Sequence, residues 1–287
     1  MNGGVGAGRV LTGAGPGAVF RFATVGDNTI DEYVGAQELS FVGGNAVNVA
    51  VRIAELGGDV AYFGAVGPDD RGARVRHALQ ERRVMVEHLL EIPGTTSTSQ
   101  VRVEVSGERH LSGEDFGTCA DYRPTAGELD AMAARGVVHV GWTPFSGEIR
   151  TELRRRGAVV SQDCAVAEGF DNLDVAFCST GVEEDAARAA AHEALAGGAR
   201  LVVVTRGAAG SIASDGTRWW SQEALPIVPV DTTGAGDSFI AGFLLAWGRG
   251  SSVVRSMGAG AAAAAETCQH HGGFRQVPMQ HVKGSSR

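Results

Sequence analysis

Short apolar runs alternate with amphipathic segments along most of the chain. Residues 21–26 (RFATVG), 60–67 (VAYFGAVG) and 136–142 (GVVHVGW) have the length and composition of buried strands. Apolar positions recur at helical spacing in residues 43–58 and 69–83. The later runs AVVSQD, LDVAFCS and RLVVVTRG repeat the strand pattern, and Glu183–Ala196 repeats the helical one. Buried strands that alternate with helices predict a parallel sheet covered by helices on both faces.

Two stretches depart from this pattern. Residues 97–112 alternate apolar and polar side chains around a Ser-Gly pair, which predicts a hairpin with one solvated face. We expect these residues, together with strands near 30–42, to form a small second sheet. A sheet of this kind is one way to build a lid over an active site.

The two ends of the chain carry weaker patterns. Residues 1–20 are rich in Gly and have no periodicity, which favours a disordered arm without a secretory signal. Residues 276–287 read as a loose tail. We therefore expect one α/β domain over residues 21–275.

Composition and charge narrow the function classes. The net charge of −8 argues against a nucleic-acid or anionic-membrane partner, and no apolar run is long enough to span a bilayer. The four cysteines form no Cys-x-x-Cys pair, which favours buried reduced thiols in a cytoplasmic protein over disulfides or a metal site.

The clearest chemical signal is the run DTTGAGDSF at residues 231–239, between an apolar segment and a helical one. A glycine-rich loop that opens a helix offers unpaired N–H groups and the positive end of the helix dipole. Gly234, Ala235 and Gly236 could therefore hold a phosphoryl group. Asp237 has no place in a plain anion site, but it could accept the proton of a hydroxyl that attacks that group. The alternative is a turn that ends in a helix-capping Asp.

Two long motifs carry a family resemblance. The segment DTTGAGDSFIAGFL resembles the C-terminal signature of the ribokinase-like (PfkB) sugar kinases, and residues 43–72 resemble their N-terminal signature. The resemblance extends over residues 22–274. It implies an α/β fold, a ribokinase-like three-layer sandwich with a mostly parallel central sheet and a small β-sheet lid.

The resemblance also implies residue roles. Asp237 would be the catalytic base, and the N–H groups of Gly234, Ala235 and Gly236 would form the anion hole. Asp31 would bind the sugar, with Asp27 as a second polar group. The remaining sugar-binding candidates come from the N-terminal signature: Gly43, Gly44, Asn45 and Asn48. For Asn48, a purely local role in its helix is a real alternative.

The nucleotide side matches the family less fully. Candidates for binding ATP are Thr205, Arg206, Gly207, Gly210 and Thr233, although a solvated Arg206 fits the sequence equally well. The segment STGVEED replaces the family's Asn-x-x-Glu motif. It leaves Glu183 as the first candidate for holding Mg²⁺ through water and Glu184 as the second. Gly260 and Ala261 stand where many members have Asn beside adenine, so the adenine would be held mostly by the shape of its pocket. A requirement for K⁺ stays open.

Three segments resemble the bacterial fructoselysine 6-kinase branch of the family: GDNTIDEY, GGNAVNVAV and ETCQHHGGF. This implies phosphorylation of a fructosamine at the 6-hydroxyl, with Arg102 or the turn Gly141–Pro144 contacting the amino-acid arm. A fructokinase, a ribokinase or another small-sugar kinase are alternatives, as is a non-catalytic sugar-binding protein. Members commonly pair through the lid sheet, so we expect a homodimer.

Overall fold

The computed structural model describes residues 21–35, 38–103 and 109–280. Its strands, in chain order, are β1 Arg21–Val25, β2 Thr29–Gly35, β3 Leu39–Gly43, β4 Asp59–Val66, β5 Met85–Glu91, β6 Thr98–Val103, β7 Arg109–Asp115, β8 Gly136–Val140, β9 Val159–Asp163, β10 Val175–Ser179, β11 Leu201–Thr205, β12 Ser211–Ser214, β13 Trp219–Gln222 and β14 Met279–Gln280. The helices are α1 Asn45–Glu55, α2 Asp70–Glu81, α3 Gly117–Asp121, α4 Ala126–Ala133, α5 Ser146–Arg155, α6 Glu184–Ala196, α7 Ala235–Gly248 and α8 Val253–Thr267.

The strands with continuous apolar runs form the central sheet. Its nine strands lie in the order β13-β12-β11-β10-β9-β8-β1-β4-β5. Pairing is parallel from β5 to β11, and β12 and β13 extend the sheet as an antiparallel hairpin. One large core lies on each face of the sheet, under helices. The predicted three-layer sandwich with a mostly parallel central sheet is therefore confirmed. The sequence pattern does not predict β5, α3, α4 or α5 individually.

The smaller sheet has five strands in the order β14-β3-β2-β6-β7. β6 and β7 pair antiparallel, as the alternating pattern of residues 97–112 predicted, although residues 104–108 at the turn lie outside the described residues. The loose tail predicted from residue 276 is wrong for its first residues. The Gln276 side chain bonds both backbone groups of Val42, and β14 pairs with β3.

The register of the small sheet decides which side chains share a face. Asp31 on β2 lies opposite Ser99 on β6, and Ser99 lies opposite Glu114 on β7. Because successive side chains alternate between faces, these three share one face and Arg102 lies on the other. Arg102 and Asp31 therefore face opposite sides of the small sheet, so the register gives no support to the predicted contact of Arg102 with the amino-acid arm.

Two absences concern only the described part of the chain. No helix there has the length and apolar character needed to cross a membrane. The four cysteines there are free thiols, of which Cys119 and Cys268 are buried while Cys164 and Cys178 are half-buried.

Candidate active site

Asp237 lies in the first turn of α7. The residue that caps this helix, Gly234, has φ of 72°, and a Cβ there would lie 2.4 Å from the Cα of Gly273, so only glycine fits. A Cβ on Gly236 would meet no atom within 4 Å, so the start of the helix faces open space. The Ala235 N–H donates to the Thr232 carbonyl at 3.2 Å, so this predicted anion-hole donor already has an acceptor.

Two amides from α1 hold the Asp237 carboxyl group. Asn45 Nδ2 donates to Oδ1 at 2.6 Å, and Asn48 Nδ2 donates to Oδ2 at 2.7 Å. The N-terminal motif thus meets the C-terminal one across 192 and 189 residues of sequence. The sequence predicted that Asn45 and Asn48 contact the sugar, whereas their amides here bind the candidate base. Asn48 has this contact in addition to its place in the helix.

Asp163, at the end of β9, joins the same network. Its Oδ2 accepts from Asn45 Nδ2 at 2.8 Å, and its Oδ1 accepts from the Ala165 N–H at 2.9 Å. The residue is 9% exposed. The family resemblance does not mark this residue, and the one local signal for it is that an acid ends an apolar strand.

Asp27 caps the start of α1. Its carboxylate accepts from the backbone N–H groups of Asn45 at 2.8 Å, Ala46 at 3.2 Å and Trp142 at 3.2 Å. A carboxylate at a helix N-terminus is also favoured by the helix dipole. The structure therefore gives this predicted sugar ligand a task of its own, which is to fix the segment that carries Asn45 and Asn48.

Asp31 lies against Gly43. A Cβ on Gly43 would lie 2.2 Å from Asp31 Oδ2, so the glycine makes room for the carboxylate. Gly44 follows as the cap of α1. Burial, and the nearby carboxylates of Asp27, Asp231 and Glu114, raise the pKa of Asp31 to about 7.

Burial and mutual repulsion dominate the electrostatics of this cluster. Burial, and then the charge of Asp163, raise the pKa of Asp237 to about 8, although the two amides oppose the shift. Burial likewise raises the pKa of Asp163 to about 6. Burial raises the pKa of Asp27 as well, against its backbone hydrogen bonds. A carboxyl group with a raised pKa is a stronger proton acceptor once it is ionised.

A cavity of about 610 Å³ lies at the N-terminus of α7, on the side away from the carboxyl cluster. Three predicted nucleotide-binding residues line it: Thr205, Gly207 and Gly210. Ala261 lines it too, in the position predicted for the adenine pocket. Most of the remaining lining is apolar or backbone: Ala208, Ala224, Leu225, Pro226, Ile227, Pro229, Ala235, Gly236, Phe239, Ala264, Ala265 and Cys268.

The other predicted nucleotide and metal residues are not among the described residues that line this cavity. Arg206 donates to the Val182 carbonyl at 2.6 Å, and its side chain is 13% exposed, so it is not a solvated arginine. Glu184 pairs with Arg188 at 2.7 Å and lies 3.7 Å from Arg206. Glu183 is exposed and caps α6. Within the described residues, no group of three or more His, Cys, Asp or Glu side chains could hold a metal ion.

Two contacts connect the small sheet to the rest of the site. The Tyr33 hydroxyl lies 3.4 Å from Thr233 Oγ1, which places Thr233 against the lid strands. The Phe116 ring, just after β7, stacks on Trp142 with centroids 3.8 Å apart and an interplanar angle of 10°. Trp142 belongs to the predicted turn Gly141–Pro144, and its backbone N–H donates to Asp27 Oδ1. This stack therefore borders the carboxyl cluster.

A model of the pfkB family of carbohydrate kinases matches residues 31–141 and 170–279. Fructoselysine 6-kinase from Shigella flexneri is 34% identical over 88% of this chain and 98% of its own length. A fructosamine kinase from Bacillus subtilis is 30% identical over 88% of this chain and 93% of its own. Ribokinase from Arabidopsis thaliana, solved with ribose and ATP, superposes with a TM-score of 0.81 at 21% identity, over 89% of this chain and 94% of its own.

Proposed function

We propose that this chain, which belongs to the pfkB family of carbohydrate kinases, transfers the γ-phosphoryl group of ATP to the 6-hydroxyl of a fructosamine. Membership of the family makes the protein a phosphotransferase with an alcohol group as acceptor. The identity of the sugar and the roles of individual residues are the proposal. One observation carries it: Asp237 lies at the open start of α7, between a cluster of carboxyl and amide groups and an apolar cavity.

In the proposed reaction, Asp237 accepts the proton of the sugar hydroxyl as that oxygen attacks the γ-phosphorus. Asn45 and Asn48 hold the carboxylate, and each of its oxygens keeps a lone pair for the incoming hydroxyl. The N–H groups at the start of α7, at Gly236 above all, stabilise the negative charge on the transferred group. Asp31 binds sugar hydroxyls from the lid face.

The residues of the nucleotide side fit ATP with Mg²⁺. The cavity of about 610 Å³ is large enough for a nucleotide, and it ends at the helix start that would receive the phosphates. Glu183 would hold the ion through water, because Glu184 is already paired with Arg188 whereas Glu183 is exposed. Bound Mg²⁺ would neutralise phosphate charge. Comparing activity in K⁺ and Na⁺ buffers tests whether the reaction also depends on K⁺.

Two observations favour a fructosamine over fructose. The relatives that match the chain over nearly their whole length are named for fructoselysine or fructosamine. In addition, Asp31 and Glu114 share one face of the small sheet, two strand spacings or about 10 Å apart. An acidic row of this length could bind hydroxyls at one end and the protonated amine of the arm at the other. Glu114 thus replaces Arg102 as the proposed contact to the arm.

Competition between fructoselysine and fructose at equal concentration with Mg-ATP tests the substrate. We expect fructoselysine to have the higher kcat/KM, because binding of the arm helps to hold the 6-hydroxyl at the base. If fructose reacts faster, the chain is a fructokinase, as a 33% identical Salmonella typhimurium relative is named. If no sugar is phosphorylated, a non-catalytic sugar-binding protein becomes the better interpretation.

The variant Glu114→Gln tests the contact to the arm. It should raise the KM for fructoselysine roughly 10-fold, which corresponds to the loss of one charge-assisted contact, and leave the KM for fructose unchanged. Glu87→Gln is the matched control, because Glu87 is exposed on β5 of the other sheet. Equal effects on the two sugars would refute the assignment of Glu114.

A homodimer that forms through the small sheet is also part of the proposal. Val277 and Met279, on the segment that joins this sheet, are 88% and 55% exposed, which is unusual for apolar side chains. Sedimentation of the wild type and of Met279→Lys tests this. We expect a dimer that the lysine weakens, and a monomeric wild type would refute it.

A further inference from the structure

None of the roles proposed above involves Asp163, although it is buried beside Asp237. It is 9% exposed and lies at the end of a central strand, where a charge without a task would be costly. Both of its oxygens have defined donors, the Ala165 N–H and the Asn45 amide. The second of these donors also binds the candidate base.

We propose that Asp163 is a positioning residue, which fixes the Asn45 amide and thereby the orientation of the Asp237 carboxylate toward the acceptor hydroxyl. The inference rests on the proposed function, because it takes Asp237 to be the base. Asp163 itself would not touch the reacting atoms.

The donor inventory of Asn45 supports this role. Its amide nitrogen carries two hydrogens and contacts two carboxyl oxygens, at 2.8 Å on Asp163 and 2.6 Å on Asp237. Its Oδ1 is buried and has no hydrogen-bond partner among the described residues. In the flipped orientation, that oxygen would face both carboxyl groups. Asp163 therefore keeps the donating side of the amide turned toward the base.

Asn48 alone would not fix the base to the same degree. It reaches only Oδ2 of Asp237, and a carboxylate held through one oxygen can pivot about that contact. The Asn45 contact to Oδ1 removes this freedom. Small errors in the placement of a reacting group are costly, since a misplacement of about 1 Å can reduce a rate on the order of 100-fold.

The groups that face Asp237 explain a second effect of Asp163. They are the amides of Asn45 and Asn48 on α1, and the carboxyl groups of Asp27 after β1 and Asp163 on β9. Of the two carboxyl groups, Asp163 contributes more to the raised pKa of Asp237. Removing Asp163 should therefore lower the pKa of Asp237 and also leave the orientation of its carboxylate less fixed.

The test is a double-mutant cycle of Asp163→Ala and Asn45→Ala, measured on the alkaline plateau of the pH profile. We expect Asp163→Ala to lower kcat roughly 10- to 100-fold and to change both KM values less than about threefold. If Asp163 acts through Asn45, the double variant should be no slower than Asn45→Ala alone. The acid limb of the kcat profile should also move to lower pH in Asp163→Ala.

Asp174→Ala is the matched control. Asp174 precedes β10, at the opposite end of the same sheet, and its carboxylate is 11% exposed and accepts from the Val160 N–H at 3.0 Å. We expect this variant to lose stability, as Asp163→Ala does, but to keep its kcat and pH profile.

The outcomes separate this inference from the proposed function. If the losses from Asp163→Ala and Asn45→Ala multiply, or if the acid limb does not move, Asp163 is not a positioning residue. If Asp237→Asn retains turnover, the assignment of the base itself fails. A variant that does not fold is replaced by Asp163→Ser, to which the same expectations apply.

Discussion

The two regions that meet at the start of α7 differ in how they are built. The region toward the small sheet is a cluster of carboxyl and amide groups joined by hydrogen bonds of 2.6–3.2 Å. The cavity on the other side is lined mostly by alanine, proline and other apolar groups. A site made of directional polar contacts rejects a ligand that lacks the matching group, whereas an apolar cavity distinguishes ligands mainly by shape. We therefore expect the enzyme to select its sugar acceptor strictly and the nucleobase of its nucleotide loosely.

Removal of the proton acceptor is the strongest test of this contrast. Asp237→Asn keeps the shape of the side chain but loses its basicity, so the rate should fall roughly 10²- to 10⁴-fold. Binding of both substrates should be largely intact, because the ground-state contacts remain. Single-turnover kinetics and calorimetric binding measure the two effects separately. Near-native turnover would show that another group takes the proton.

A smaller effect is expected at the far end of the polar region. Asp31→Ala should raise the sugar KM roughly 10- to 200-fold, which corresponds to the loss of a charge-assisted hydrogen bond of about 1.5–3 kcal/mol. The nucleotide KM should change little, since Asp31 lies on the lid face. Steady-state kinetics with each substrate varied in turn measure this. A matching rise in the nucleotide KM would mean that the two regions are not separate.

The carboxyl cluster should also make stability depend on pH. The pKa values of Asp237, Asp31 and Asp163 are raised to about 8, 7 and 6. Between about pH 4 and pH 8, the folded protein keeps protons that the unfolded chain has released, so the free energy of unfolding falls as the pH rises.

Asp237→Asn should remove part of this loss. Without ligands, its Tm should exceed that of the wild type by about 2 °C or more at about pH 8.5, and by less at about pH 5.5. Thermal unfolding at several pH values measures the difference. A gap that does not change with pH would contradict the raised pKa of Asp237. The described lining of the apolar cavity contains no carboxyl group, so Ala264→Ser, on its wall, is the control.

The smallest effect is expected from exchanging the nucleotide. Because the described lining of the cavity is mostly apolar, kcat/KM for ATP and GTP should differ by roughly tenfold or less. A preference much above tenfold would show that polar groups recognise the nucleobase. The same assay with the wild type and with Ala261→Asn would then show whether an amide at this position sharpens the selection.

Local sequence signals predicted most of the fold and part of the site. Asp237 follows a glycine loop that opens a helix, so its neighbouring residues indicate a role for it, whereas Asp31 is assigned through the family resemblance alone. The contacts of Asn45 and Asn48 with Asp237 could not be predicted in the same way, because they join residues about 190 positions apart. They exist only once α1 and α7 pack together.

Register explains why Arg102 does not share a face with Asp31. The alternating pattern of residues 97–112 predicts which side chains share a face within the hairpin, but not which face turns toward the central sheet. The pairing of β6 with β2 decides this, and it places Ser99 rather than Arg102 beside Asp31. A shift of one residue in that pairing would have reversed the assignment.

The stack of Phe116 on Trp142 has a practical consequence. The Phe116 ring follows the lid hairpin and the indole follows a strand of the central sheet, so their contact spans the two parts of the molecule. The other three tryptophans lie away from it, on β13 and at the end of α7. Replacing those three with phenylalanine would leave a single indole in contact with the residue that follows the hairpin. Any movement of the hairpin that breaks this stack would change the fluorescence of that indole, so stopped-flow measurements can test for such movement without an attached dye.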